Sequence, residues 1–162
     1  MTLDVRSGAE ALFVAIEMEK RAVRMYERML MLVDDPHSTA VIARLLKDEV
    51  THLERFQDLM GGEAVAGLDA MLLSAHANDI LFSGGLTQAA REGAFQSPQS
   101  IVKYALDQED IAVKTYAGFA ERSRDAARRT FQEISDEEKT HFDALMAISQ
   151  ADACKEYPCR TI

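Results

Sequence analysis

The chain predicts an all-α protein, an antiparallel four-helix bundle, and three observations carry that expectation. Four segments place apolar residues at steps of three and four, the period of an α-helix, and no segment shows convincing strand alternation. Two of the connections between these segments are short and one is long. One motif occurs twice: Glu49-Val50-Thr51-His52 and Glu138-Lys139-Thr140-His141 are both E-x-T-H. Upstream of each lies E-x-x-A-V-x-x-Y, from Glu19 to Tyr26 and from Glu109 to Tyr116.

The first long helix opens at Ser7-Gly8-Ala9-Glu10, a capping-box pattern in which Ser7 and Glu10 satisfy each other's backbone N–H groups. Its stripe is Leu12, Ala15, Ala22, Tyr26, Met29 and Val33, and Asp34-Asp35-Pro36 ends it. Asp35 caps the second helix, with Pro36 at its first position, where a missing N–H costs nothing. That helix carries Ile42, Leu45, Leu53, Phe56 and Met60 and stops at Gly61-Gly62. Ser97-Pro98 starts the third, with Val102, Ala105, Ala112, Tyr116 and Phe119 on its face. After the turn Ser123-Arg124-Asp125, Asp125 is the expected cap of the fourth, whose stripe is Phe131, Ile134, Phe142, Leu145 and Ile148. Short turns make each pair an antiparallel hairpin, and the long stretch from Gly61 to Ser97 serves as a crossover along the bundle. Within it, Leu68 to Phe82 is apolar enough for a short extra helix, with Met71, Leu72, Ala75 and Ile80 packing down and Gly84-Gly85 breaking it.

A length of 162 residues suits one domain with a real core, the bundle over 1–152 and a short tail over 153–162. A net charge of -9 argues against nucleic acid as a partner. No apolar run is long enough to cross a bilayer, and Met1 to Arg6 lacks the basic start and apolar stretch of a secretory signal. The expectation is a cytoplasmic protein with no membrane contact. Cys154 and Cys159 are one pair where a four-cysteine metal site needs two; they read as reduced tail thiols, with a tail disulfide or an intermolecular bridge as the alternatives. The eight methionines read as core filler, His37 as an exposed turn residue and His76 as part of the crossover. Asp48, Asp136 and Glu137 fall off the stripes and read as surface charge.

The stripes have gaps, and ionisable residues fill them. Glu19 falls between Ala15 and Ala22, Glu49 and His52 between Leu45 and Phe56, Glu109 between Ala105 and Ala112, and Glu138 and His141 between Ile134 and Leu145. A buried unpaired carboxylate costs several kcal/mol, so four of them together call for positive charge inside. Each set lies about 14 to 17 residues from its own hairpin turn, or roughly 21 to 26 Å at the α-helical rise, so the ligands of each hairpin meet at one level. Four Glu and two His match the ligand set of a dinuclear centre in which two helices give one Glu each and two give Glu-x-x-His. Mixed carboxylate and imidazole ligation suits iron or manganese, with zinc as a mimic. Pairing logic makes Glu19 and Glu109 terminal ligands and Glu49 and Glu138 bridges. Tyr26 and Tyr116, one heptad beyond Glu19 and Glu109, either donate their hydroxyls to carboxylates around the metals or are ordinary core tyrosines.

On these residues the chain resembles the rubrerythrin-like branch of the ferritin-like di-iron superfamily. The match runs through Ala15-Ile16-x-x-Glu19 to Tyr26, Asp48-Glu49-x-x-His52, Glu109 to Tyr116 and Glu138-x-x-His141, so it covers both hairpins. The resemblance implies a ferritin-like fold and two iron ions at a Glu4His2 site that reacts with peroxide or dioxygen. It also implies a homodimer, in which helical hairpins can be exchanged. Three departures stand out. The rubredoxin domain that delivers electrons in full rubrerythrins is missing. A further family glutamate, three residues after the third-helix ligand, is Ala112 here. Val50 stands where bacterioferritin has its haem-binding methionine, and the short tail argues against a cage with a fifth helix.

The expected activity is that of an oxidoreductase in oxidative stress. It is a peroxidase if an external donor, such as a rubredoxin-like protein, returns electrons, and a ferroxidase if oxidised iron accumulates. The alternatives are a non-enzymatic iron-binding or iron-handling protein, and a di-iron oxygenase acting on an organic substrate beside the crossover.

Overall fold

The structure, a computed structural model, describes Val5 and residues 7–61, 67–76 and 85–156, with backbone alone at 67, 68, 76 and 152–156. It is all-helical: α1 (Gly8–Leu30), α2 (Pro36–Met60), α3 (Gly67–His76), α4 (Gly85–Arg91), α5 (Pro98–Arg122) and α6 (Asp125–Glu156), with no strand among the described residues. Among those residues no helix is long and apolar enough to cross a membrane.

Local chemistry sets the ends of the long helices. Ser7 Oγ accepts from the Glu10 N–H at 3.2 Å, and Asp35 Oδ2 from the Ser38 N–H at 2.9 Å, satisfying N–H groups that the first turn leaves without partners. Ser97 and Ser100 cap each other reciprocally, at 3.1 and 3.0 Å, ahead of Pro98. Gly61 closes α2 at φ 59°, a left-handed conformation that glycine adopts without strain. Asp125 departs from the expectation. It is the first residue of α6, not its cap, and it has φ 51°, a region that Asp tolerates better than most side chains. α6 also runs past position 152, through Cys154 to Glu156; Cys159 lies outside the described residues.

α1 packs on α2 and α5 on α6, and the two hairpins meet through α1 against α5 and α2 against α6. Cross-helix bonds fix the directions. Tyr26 donates to Glu109 and Tyr116 to Glu19, so seven residues forward along α1 correspond to seven residues back along α5, and the two helices are antiparallel. His52 to Glu137 and His141 to Asp48 give the same result for α2 and α6. The core falls into two apolar clusters. One, with Leu12, Ala15, Phe56, Phe119, Phe131 and Ile134, lies toward the α5–α6 turn. The other, with Met25, Met29, Ile42, Leu45, Ile101, Val102 and Leu145, lies toward the α1–α2 turn. Fully burying side chains of this size is worth about 1.5–3 kcal/mol each. Leu53, Met60 and Phe142 are only partly buried at the edges of the stripes.

Because α2 and α5 both run against α1, they are parallel, and the chain between them must travel back along the molecule. α3 packs on α1, with Leu73 against the first cluster; α4 puts Leu86 against the second. Of the short extra helix expected over Leu68 to Phe82, the described residues show α3 as far as His76, and residues 77–84 lie outside them. Gly85, read as a breaker, is the first residue of α4 at φ 72°. Met71 and Leu72 are 74% and 54% exposed and Ala75 is exposed too, because α3 meets the core through Leu73 and turns these three residues to solvent. Ile80 lies outside the described residues.

Candidate metal centre

Between the two apolar clusters lies a polar layer. Glu19 on α1, Glu49 and His52 on α2, Glu109 on α5, and Glu138 and His141 on α6 are all at most 3% exposed. The helix period dictates this placement: each replaces an apolar residue on the inward stripe of its own helix. All six ligand candidates from the sequence thus come together, and both tyrosines join them. Tyr116 Oη donates to Glu19 Oε1 at 2.5 Å and Tyr26 Oη donates to Glu109 Oε1, so each tyrosine serves the opposite hairpin's glutamate.

The donor atoms form two groups. Glu19, Glu49, His52 and Glu138 bring one ligand atom each within 4.8 Å of one another, and so do Glu49, Glu109, Glu138 and His141. Glu49 and Glu138 belong to both groups, Glu19 and Glu109 to one each. His141 Nδ1 lies 2.8 Å from Glu49 and 2.9 Å from Glu138, and His52 Nδ1 lies 3.2 Å from Glu138, none of these in hydrogen-bond alignment. Glu19 Oε2, Glu49 Oε1, His52 Nδ1, Glu138 Oε2 and His141 Nδ1 are buried with no hydrogen-bond partner among the described residues. An unmade buried bond costs about 1–3 kcal/mol, and here five such atoms converge on one volume. Hard carboxylate oxygens with two imidazole nitrogens are a donor set for a divalent first-row cation.

Electrostatics points the same way. Burial, then the facing carboxylates, push Glu19, Glu49 and Glu109 well above the usual carboxylate range. Burial also acts on Glu138, but the His141 and His52 imidazoles outweigh it and hold Glu138 at about 2. Burial alone would lower both histidines, yet Glu138 raises them. Burial, then Glu109 and Glu19 respectively, push Tyr26 and Tyr116 well up, so both hydroxyls stay protonated as donors. Without a cation, protons take the place of positive charge in the layer, and a bound cation would displace them.

Two residues read as surface charge belong here. His52 Nε2 donates to Glu137 Oε2 at 2.7 Å, and Glu137 is held in turn by Arg55 at 3.1 Å. On the other side His141 Nε2 lies 3.6 Å from Asp48 Oδ2. At His52 the acceptor on Nε2 fixes the proton there and leaves the Nδ1 lone pair facing the carboxylates, whereas Asp48 stands beyond hydrogen-bond reach of His141. The repeat itself contains the signal, since an acid precedes the glutamate in both motifs, Asp48-Glu49 and Glu137-Glu138. Asp136 does remain at the surface, paired with Lys139. His37 is exposed on the first turn of α2, and the side chain of His76 lies outside the described residues.

A cavity of about 30 Å³ opens onto the layer between α1 and α5. The four glutamates line it, together with Ala22, Ala112, Leu86 of α4, Arg21, Tyr104 and Gln108. The small side chains of Ala22 and Ala112 leave this approach to the carboxylates open.

Compared with known proteins, the chain matches no family model and no curated protein. Among solved structures it is similar to a hypothetical protein from Pyrococcus furiosus, with a TM-score of 0.65 and 18% identity, covering 89% of both chains. At that identity the likeness is one of fold.

Proposed function

We propose that this protein is a ferritin-like four-helix bundle holding two iron ions, and that it is a cytoplasmic oxidoreductase of rubrerythrin type. The observation that carries this reading is the convergence of five unpartnered buried ligand atoms in two groups that share Glu49 and Glu138. Glu19 and His52 would hold one metal, Glu109 and His141 the other, with Glu49 and Glu138 between them. Bound iron, oxidised from Fe(II) to Fe(III) at two sites, would supply the two electrons that, with two protons, would convert hydrogen peroxide to two waters. The chain's own part is to position and to exclude. Tyr26 and Tyr116 hold Glu109 and Glu19 by their Oε1 atoms, leaving the second oxygen of each for the metal. The apolar clusters above and below keep bulk water from the layer.

Cavity size supports a small oxidant. About 30 Å³ has room for a molecule of the size of water or peroxide, whereas pockets for organic ligands run to about 300–1,000 Å³. This favours peroxidase or ferroxidase action over an oxygenase with an organic substrate. Repeated peroxide turnover would draw on an external donor such as a rubredoxin-like protein, and a homodimer is the proposed assembly. An iron-handling role without catalysis is separated from this by kinetics.

The test is an anaerobic Fe(II) titration of the metal-free protein, then rapid mixing with peroxide and, separately, with oxygen. Two irons per chain, oxidised faster by peroxide, are expected. Saturable binding with slow oxidation by both would favour iron handling. Binding unchanged by Glu49→Ala and Glu138→Ala would sink the dinuclear reading.

A further inference from the structure

The two halves of the layer are related by the internal repeat, yet they are not equally supported. From the geometry we infer that the two metal positions are unequal, and that Glu137 and Arg55 are positioning residues that make the His52 position the tighter one. This rests on the dinuclear reading above.

His52 donates from Nε2 to Glu137 at 2.7 Å. Arg55 fixes Glu137 at 3.1 Å and anchors itself on Glu133 at 2.6 Å, so the ring sits at the end of a chain of charge-assisted bonds. On the His141 side the repeat places Asp48, which is shorter by one methylene and stands 3.6 Å from Nε2. The repeat puts Ala144 where α2 has Arg55, so this half lacks the matching guanidinium. An imidazole held by a carboxylate is oriented and more basic before any metal arrives, and such partners are worth about 10–100-fold in metal affinity. His52 therefore presents Nδ1 in a fixed direction, whereas His141 must be oriented on binding. Filling is sequential, first at Glu19 and His52, then at Glu109 and His141. One chain would thus hold one firmly bound ion and one that exchanges readily.

The experiment is a Co(II) titration of the full-length metal-free protein, followed by visible absorption and by calorimetry. The expected result is two resolved steps, with affinities about tenfold or more apart. His52→Ala should remove the first step and His141→Ala the second. Glu137→Asp, which imposes the Asp48 geometry, and Arg55→Met should each weaken the first step about tenfold and leave the second in place; Arg55→Lys should restore part of the loss. Asp48→Glu should tighten the second step. Its partly exposed position makes it a variant that keeps the fold, and thermal melts of the metal-free variants check this for each. Two equal steps in the wild type, or variants that shift both steps alike, would overturn the inference while leaving two metals bound. Absence of saturable binding in the wild type would instead overturn the dinuclear reading itself.

Discussion

The apolar clusters and the polar layer between them are equally buried and energetically opposite. Phe56, Phe131 and Leu145 are fully buried, and removing their surface from water stabilises the fold. Glu49, Glu138 and His52 are as deeply buried, and there burial costs free energy that only charge neutralisation returns. Depth in the core therefore says nothing about the sign of a residue's contribution. In this protein the middle of the molecule weakens the metal-free fold and the two ends hold it together.

Four measurements would break or sharpen that contrast. The largest effect belongs to the ends: Phe131→Ala or Phe56→Ala should cost about 3–5 kcal/mol in urea unfolding, with metal or without. The middle should respond with the opposite sign. Glu49→Gln should stabilise the metal-free protein by on the order of 1 kcal/mol near pH 8, because it removes a carboxyl that resists ionising, while abolishing tight binding of the metal pair. If Glu49→Gln destabilises the metal-free protein as Phe131→Ala does, the two regions do not differ as described.

The pH dependence comes next. Glu19, Glu49 and Glu109 are raised in the fold above the unfolded value of about 4.3, so their stabilising contribution is whole below that pH and is lost as pH rises through the raised values. The raised histidines act in the same direction, above about 6.5. Glu138 acts oppositely, but its window lies between about 4.3 and its folded value of about 2. In the presence of chelator the melting temperature should fall from pH 5 to pH 8. With metal this trend should reverse, because binding displaces protons. A flat profile under both conditions would remove the electrostatic cost from the middle layer. The smallest effects lie outside both regions: Leu72→Lys on exposed α3 should change stability by less than about 0.5 kcal/mol, which thermal melts can check.

The four long helices were legible because each carries more than six turns of repeating stripe and, for three of them, a side-chain cap, Ser7, Asp35 or Ser97. The six ligand candidates were legible because they interrupt those stripes. What was missed has a common cause. α4 has seven residues, too few for a period to show, and its opening Gly85 resembles a breaker. Met71 and Leu72 were apolar without being buried, because the direction in which α3 faces is set by α1 and not by α3 itself. Asp48 and Glu137 stand off the stripe of their own helices, but each faces the histidine of the antiparallel neighbour. Single-helix periodicity cannot register a partner on another helix; the duplicated acid before each motif can.

The crosswise tyrosine bonds have a consequence for assembly. Neither hairpin can complete the layer alone: each brings one single glutamate, one Glu-x-x-His and one tyrosine whose acceptor lies about ninety residues away in the chain. A cation pair taking ligands from both hairpins would then act as a removable cross-link between distant parts of the chain, in the manner of a disulfide that closes a long loop. Metal supply would govern how tightly the two hairpins stay docked as well as what reacts between them.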